Sequence, residues 1–230
     1  MEKKNVLFEC PNLPNSNGIQ FSVIGGSVLD FVGDAFVNAA NEGCVTGFGV
    51  DEWVNKSGGF KLKEARRKLG GCPTGCAKLT PSFDHTNTKY IIHAVGPVYR
   101  RKNNRFLVSN SNPMSGTSKE DGNTDNDDKT LPLVFAELDQ MLYSAYVESI
   151  RIAEQHDDIT TLAFCCLSAG VFLGEKSLED VLQIAVESIA MACQSAPSLK
   201  SVHIYAFTEA EQNILPKLAS NYFHNLHETV

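Results

Sequence analysis

Two loops of small residues carry the groups best suited to chemistry, and the first of them follows a short apolar run that ends at Asn38. Asn41 opens this first loop (residues 41–49), and Gly47-Phe48-Gly49 closes it before a helix-like pattern that starts at Val50. A glycine-bearing loop between a strand and a helix presents backbone N–H groups to an anion, and the positive end of the helix dipole adds to that attraction. The first loop therefore predicts phosphate binding. The signal is weak alone, because such turns are common and the spacing matches neither the P-loop nor the dinucleotide fingerprint.

The second loop, Ser168-Ala169-Gly170-Val171-Phe172, follows the apolar run at residues 161–167. Like the first, it leads from a strand towards a helical pattern. Two such loops at strand ends fit a diphosphate that is gripped from two sides in a crevice of an α/β sheet. The alternative is that Ser168, Ala169 and Gly170 only turn the chain and that Phe172 belongs to the core.

Three further side chains have both a chemical and a structural interpretation. Asp51 is either a functional carboxylate or an acid at a helix N-terminus that interacts with the helix dipole, and the residues alone favour the second interpretation. His93 lies in an apolar run, which favours a packed core histidine over a catalytic one. Trp53 lies one turn into the helix and is either core or the wall of a pocket.

The elements that position these loops are short apolar runs, most of them continuous, as is typical of a sheet covered on both faces. The predicted strands are residues 6–10, 20–24, 35–38, 77–80, 90–95, 161–167 and 202–207. Helical periodicity marks residues 134–145 and 178–192. Thr208 and Glu211 match a capping box for a last helix that either kinks at Pro216 or begins later. The alternation of strands and helices predicts an α/β fold with three layers.

Residues 109–130 stand apart, because Met114 is their only large apolar side chain amid Asn, Ser, Gly and Asp. Such a segment cannot bury enough surface to offset the entropy of ordering it. We therefore predict a disordered acidic surface insertion within a single domain of residues 1–230. A regulatory or partner-binding loop is the alternative.

The composition argues against several classes of function. A net charge of −7 argues against direct nucleic-acid binding, which rests on basic surface. No apolar run is long enough to span a membrane, and no signal-peptide core follows the N-terminal residues. The odd number of cysteines, 7, indicates reduced thiols in a cytoplasmic or nuclear protein. We also expect a monomer without a cofactor.

Several blocks of the sequence resemble macrodomains, the ADP-ribose-binding fold, and are most similar to the MacroD-type ADP-ribosyl hydrolases. They follow the order of the family along most of the chain. The blocks are Asn38-Ala39-Ala40-Asn41, Gly47-Phe48-Gly49-Val50-Asp51, Cys72-Pro73-Thr74-Gly75, Ala77-Lys78-Leu79-Thr80, Tyr90-Ile91-Ile92-His93-Ala94-Val95-Gly96-Pro97 and Ser168-Ala169-Gly170-Val171-Phe172. The resemblance implies a three-layer αβα sandwich around a mixed central sheet.

The resemblance also implies a role for each matching residue. Asn41 would hydrogen-bond the distal ribose, against which Phe172 would pack, and Phe207 would stack on adenine. Asp51, at the family spacing from Asn41, would be catalytic together with Asn41. The rest of the implied ligand-binding set is Ser27, Asn38, Gly47, Phe48, Gly49, Val50, Ser168, Ala169, Gly170 and Val171, with the diphosphate between the two loops.

The chain departs from the family pattern at three places. Ser27 stands where the family usually has an aspartate that accepts from the adenine amino group, so adenine selectivity is in question. Phe48 interrupts the usual glycine run and adds bulk beside the distal ribose. Zinc-dependent macrodomains place Cys and His ligands in this loop; here Cys44 has no nearby His, and we expect no metal.

Three functions fit this resemblance. The first is a hydrolase that removes ADP-ribose from a mono-ADP-ribosylated protein, and the second is a module that binds ADP-ribose without cleaving it. The third is a phosphatase that acts on ADP-ribose 1″-phosphate. The expected partners are thus ADP-ribose or a mono-ADP-ribosylated protein, with neither nucleic acid nor membrane.

Overall fold

A computed structural model describes residues 5–102, 105–106 and 127–228. The strands in these residues are β1 Asn5–Cys10, β2 Gln20–Gly25, β3 Ala35–Ala39, β4 Ala77–Pro81, β5 Tyr90–Ala94, β6 Arg101–Lys102, β7 Arg105–Phe106, β8 Thr161–Cys165 and β9 Ser201–Ala206. The helices are α1 Val50–Lys68, α2 Asp127–Glu154, α3 Leu178–Cys193 and α4 Glu209–Glu228. Every strand predicted from the apolar runs is present, with ends that differ by at most two residues. The short β6–β7 pair was not predicted.

The central sheet has 7 strands in the order β1-β2-β9-β8-β3-β5-β4. Its inner strands run parallel, whereas β1 and β4 pair antiparallel at the two edges. The continuous apolar runs are the inner strands, because both faces of those strands are covered and nearly every side chain is buried. The edge strands β1 and β4 are more exposed.

The helices form unequal layers on the two faces of the sheet. α2, α3 and α4 bury the larger core on one face, and α1 packs on the other face with a 3₁₀ turn at Val28–Asp30. The predicted three-layer α/β fold is therefore confirmed. No helix in the described part of the chain has the length and apolar character needed to cross a bilayer.

The structure fixes the first residues of α4 and α2, which the sequence did not define. α4 begins at Glu209 and continues through Pro216, so the alternative of a later start is wrong. Its capping box is present, since Glu211 N donates to Thr208 Oγ1 and the Glu211 carboxylate accepts from Thr208 N. α2 begins at Asp127, so the end of the predicted insertion belongs to this helix, while residues 109–126 lie outside the described residues.

Candidate functional site

A cavity of about 1010 Å³ opens at the carboxyl ends of the parallel strands β2, β3, β8 and β9. Crevices at these strand ends are where open α/β sheets bind ligands, and the volume is at the upper end of the range for small-molecule sites. The predicted site residues on its wall are Ser27, Asn41, Gly47, Phe48, Gly49, Val50, Asp51, Ser168, Ala169, Gly170, Val171, Phe172 and Phe207. Asn38 is the exception, because it is fully buried and does not reach the cavity.

The first loop delivers the N-terminus of α1 to the cavity. Gly49 is the N-cap residue, with φ 66° and ψ −133°, a conformation that a side chain would strain, and no side chain caps the helix. The first N–H groups of a helix have no intrahelical acceptor. Because Val50, Asp51 and Glu52 line the cavity, these N–H groups and the positive helix end are available to an anion.

Hydrogen bonds within the first loop fix its path. Asn41 Oδ1 accepts from Cys44 N at 3.1 Å, and Asn41 Nδ2 donates to the Thr46 carbonyl. Asn55 Nδ2 donates to the Val45 carbonyl at 3.0 Å. Two hydrogen bonds of the Asn41 amide are thus used within the first loop. Its Nδ2 carries a second hydrogen, which can be donated to a ligand.

The second loop faces the first across the cavity and is held by Ser168. This residue has φ 57° and its Oγ donates to the Pro97 carbonyl at 2.8 Å. The loop does not lead directly into α3, whose N-terminus is capped by Ser177 and does not line the cavity. The sequence predicts that each loop leads from a strand towards a helix. In the structure, only the first loop brings a helix N-terminus to the cavity.

Asp51 is enclosed at the base of the first loop, with 1% of its surface exposed. Its Oδ1 accepts from Asn38 Nδ2 at 2.6 Å and lies 2.7 Å from Nη2 of the fully buried Arg66. Oδ2 is also buried, and no donor reaches it from the residues that the structure describes. It lies against Gly47, where a Cβ atom would come within 2.2 Å of it. Neither carboxylate oxygen is therefore open to the cavity.

The network continues from Asp51 across the sheet. Asn38 Nδ2 lies 3.2 Å from His93 Nδ1, and His93 Nε2 lies 2.9 Å from Thr80 Oγ1. An amide nitrogen can only donate, so His93 Nδ1 is the acceptor and the ring proton is on Nε2. Burial, and then the charge of Arg66, lower the pKa of His93 well below its usual value. The interpretation of His93 as a packed core histidine is confirmed.

Large apolar side chains surround the cavity and remain open to solvent. Phe48, Trp53, Val171 and Phe207 have 84%, 59%, 62% and 70% of their surface exposed. Lys56 Nζ lies 4.5 Å from the centre of the Trp53 ring. Trp53 is thus a wall of the pocket and not core. Exposed aromatic faces at a cavity mouth are suited to stacking on a planar ligand group.

Two acidic side chains that the sequence analysis did not assign to the site, Asp30 and Glu211, lie on the same wall as Phe207. The exposed carboxylate of Asp30 has no hydrogen-bond or ionic partner among the described residues. The burial of Tyr205, and then the charge of Asp30, raise the pKa of Tyr205 to about 12. The Glu211 carboxylate accepts from Phe207 N at 2.8 Å. Ser27 Oγ accepts from Leu29 N at 3.3 Å and keeps its own proton to donate. The Asp30 carboxylate therefore suits a hydrogen-bond donor of a ligand, whereas the Ser27 hydroxyl can donate to an acceptor.

Cys165 and Cys166 also line the cavity, where burial disfavours their thiolate forms. Burial raises the pKa of Cys165 to about 12 and that of Cys166 well above its usual value, so both thiols are protonated at neutral pH. Within the described residues, no group of three or more His, Cys, Asp or Glu side chains is arranged to hold a metal ion.

Comparison with known proteins defines the class of this fold and site. The Macro domain family model matches residues 37–110. A macro domain-containing protein of Cupriavidus necator is 32% identical over 197 residues, which cover 84% of this chain and 93% of that protein. The ADP-ribose glycohydrolase MACROD2 of Mus musculus is 30% identical over 164 residues, which cover 71% of this chain and 28% of that protein.

A solved structure agrees with these relatives at the level of the fold. The Oceanobacillus iheyensis macrodomain with ADP superposes with a TM-score of 0.71 at 19% identity, and the alignment covers 97% of each chain. The chain therefore belongs to the macro domain family, and the αβα sandwich implied by the sequence resemblance is confirmed.

Proposed function

We propose that the cavity binds ADP-ribose. The observation that carries this proposal is the uncapped N-terminus of α1, which faces the second loop across a crevice at the strand ends. A diphosphate fits between the two loops, and the exposed ring of Phe207 provides a platform for a base. The ADP in the Oceanobacillus iheyensis macrodomain and the similarity to the ADP-ribose glycohydrolase MACROD2 support the same ligand class.

The activity proposed for this site is hydrolysis of mono-ADP-ribose from modified proteins. Cleavage at the anomeric carbon builds positive charge on the ribose, as in other glycosyl transfers. Asp51 would orient or deprotonate a water molecule near that carbon, and the dipoles of the two loops would be preorganised around the diphosphate. Since Gly47 covers Asp51 Oδ2, this role requires the first loop to shift when the substrate binds.

The second candidate is a module that binds ADP-ribose without cleaving it. The enclosure of Asp51 favours it, because a carboxylate paired with Arg66 and Asn38 has an evident structural role without any chemistry. In that case the carboxylate serves to hold the first loop for binding.

One experiment separates these candidates. The purified protein is incubated with a mono-ADP-ribosylated protein and, separately, with ADP-ribose 1″-phosphate, and products are followed by chromatography. We expect free ADP-ribose from the modified protein only. Release from the 1″-phosphate only would indicate the phosphatase, and binding without release the non-catalytic module. A Phe207→Ala variant, which lacks the proposed base platform, is the matched control for weakened binding.

A further inference from the structure

We propose that Arg66 is the positioning residue of this site, and that it sets both the Asp51 carboxylate and the backbone of the first loop. The part that concerns catalysis rests on the proposed hydrolase function. The part that concerns the first loop does not.

The Arg66 guanidinium connects three groups around the cavity. Its Nε donates to the Cys44 carbonyl in the first loop at 2.9 Å, and its Nη1 donates to Asn55 Oδ1 at 2.8 Å. Its Nη2 lies 2.7 Å from Asp51 Oδ1. Because Asn55 in turn donates to the Val45 carbonyl, two successive carbonyls of the first loop are held from the interior of the protein.

A break in α1 makes these contacts possible. In a straight helix Arg66 would lie about 22 Å along the axis from Asp51, since each residue adds about 1.5 Å. α1 is instead interrupted at Gly59, with φ 70° and ψ −161°, and the second half returns Arg66 to the first turn. The positive φ of Gly59 favours glycine, and a Cβ atom there would lie 2.1 Å from Asp84 Oδ2, so the exposed Asp84 side chain would also have to move.

The chemistry of arginine suits this position better than that of lysine. The planar guanidinium donates in several fixed directions and stays charged when buried, whereas an ammonium is a compact point charge on a flexible stem. A fully buried charge is tolerated only with a paired charge and satisfied hydrogen bonds. Arg66, with 0% of its surface exposed, pairs with Asp51 through Nη2 and donates hydrogen bonds through Nε and Nη1, and these contacts hold Asp51 and the first loop together.

The first test uses the ligand-free protein, so that it does not depend on any activity. Hydrogen exchange of residues 41–49 is compared in wild type, Arg66→Met and Arg67→Met, with β9 as the internal measure of global stability. Arg67 is the exposed neighbour of Arg66 and provides the matched control. We expect exchange in the first loop to accelerate at least about tenfold in Arg66→Met relative to β9, and less than about twofold in Arg67→Met.

A second test asks whether Arg66 acts on the reaction through Asp51. We expect Arg66→Met to lower kcat for ADP-ribose release at least about tenfold in the wild-type background, and to have no further effect in the Asp51→Asn background. Arg66→Lys keeps the positive charge but loses the planar guanidinium, and it should have a kcat between those of Arg66→Met and wild type. If Arg66→Met does not fold, the Asp51→Asn/Arg66→Met pair, which removes both buried charges, replaces it in the exchange measurement.

Each outcome bears on one claim. Equal exchange of the first loop in the Arg66→Met and Arg67→Met proteins would overturn the inference. Additive losses of kcat in the Asp51→Asn background would overturn its catalytic part. A wild-type protein that binds ADP-ribose without releasing it from a modified protein would remove the hydrolase proposal. The exchange result would then still decide the role of Arg66 in the loop.

Discussion

Asp51 shows how the environment of one carboxylate sets what it can do. Residues of its type at a helix N-terminus are usually solvated and gain little from the helix dipole. Here Asp51 forms a buried ion pair with Arg66 and accepts from Asn38, so its charge is part of the structure of the site. A substitution at Asp51 therefore changes folding and chemistry together.

Replacement of Asp51 with alanine should destabilise the whole protein. The substitution leaves Arg66 as an uncompensated buried charge, which costs about 3 kcal/mol or more in the free energy of unfolding. Urea denaturation followed by circular dichroism measures this change. Glu52→Ala is the matched control, because Glu52 pairs with Lys56 at the surface and its loss should cost less than about 0.5 kcal/mol. Equal stability of the two variants would contradict the structural role of Asp51.

His93 should make the stability depend on pH. Its pKa is lowered in the folded protein, so as the pH falls below the ordinary histidine value of about 6.5 the unfolded chain binds the proton first. The free energy of unfolding should therefore fall between pH 6.5 and pH 5, by up to about 1.4 kcal/mol per pH unit, and stay level above that window.

Denaturation of a His93→Gln variant across this pH range checks the assignment, with the slope and not the absolute stability as the readout. Burial also lowers the pKa of His85, so a His85→Gln variant identifies the part of the slope that remains. A His93→Gln protein with the wild-type slope would show that His93 is not the group responsible.

At the scale of elements, the first loop depends on the absence of a side chain at Gly47. A Cβ atom there would lie 2.2 Å from Asp51 Oδ2, whereas a Cβ atom at Gly170 in the second loop would meet nothing within 4 Å. We expect Gly47→Ala to lower the free energy of unfolding by about 1–3 kcal/mol and Gly170→Ala to change it little. Thermal unfolding of the ligand-free variants measures both, and equal melting temperatures would show that the first loop tolerates the added atom.

The elements themselves could be predicted from the sequence because burial on both faces leaves a continuous apolar run. The strand predicted at residues 161–167 ends at Cys165 in the structure. It was predicted too long because Cys166 and Leu167, which lead into the second loop, are apolar as well. Asn38 was placed in the binding set because the block Asn38-Ala39-Ala40-Asn41 resembles the family pattern. Its pairing with His93 on β5, which holds it inside the sheet, depends on a long-range register that local pattern does not contain.

At the scale of the whole molecule, the order of motifs along the chain was enough to predict the sandwich and to bring both loops to one cavity. The Arg66 contacts could not be predicted, because they depend on the break at Gly59 and on burial that joins distant parts of α1. The acidic wall near Phe207 was also missed. Asp30 lies in the 3₁₀ turn after β2 and Glu211 in the first turn of α4, and these two elements come together only once the sheet has formed.

The segment at residues 109–126 should be dispensable for the fold and for the cavity. Its composition offers a single large apolar residue, Met114, so its replacement should remove little buried surface. Replacement of residues 109–126 by a short Gly/Ser linker leaves α2 complete, because this helix begins at Asp127. We expect nearly unchanged melting temperature and ADP-ribose affinity, and a large loss of affinity would show that the segment contributes to the site.

Calorimetric titration of ADP-ribose and of AMP into the same protein tests the central claim most directly. The two loops and the uncapped N-terminus of α1 are arranged around a diphosphate, and AMP carries a single phosphate and no distal ribose. We expect ADP-ribose to bind in the micromolar range, about −8 kcal/mol, and AMP to bind at least about tenfold more weakly. Equal affinity for the two ligands, or no binding of ADP-ribose, would contradict the assignment of this cavity.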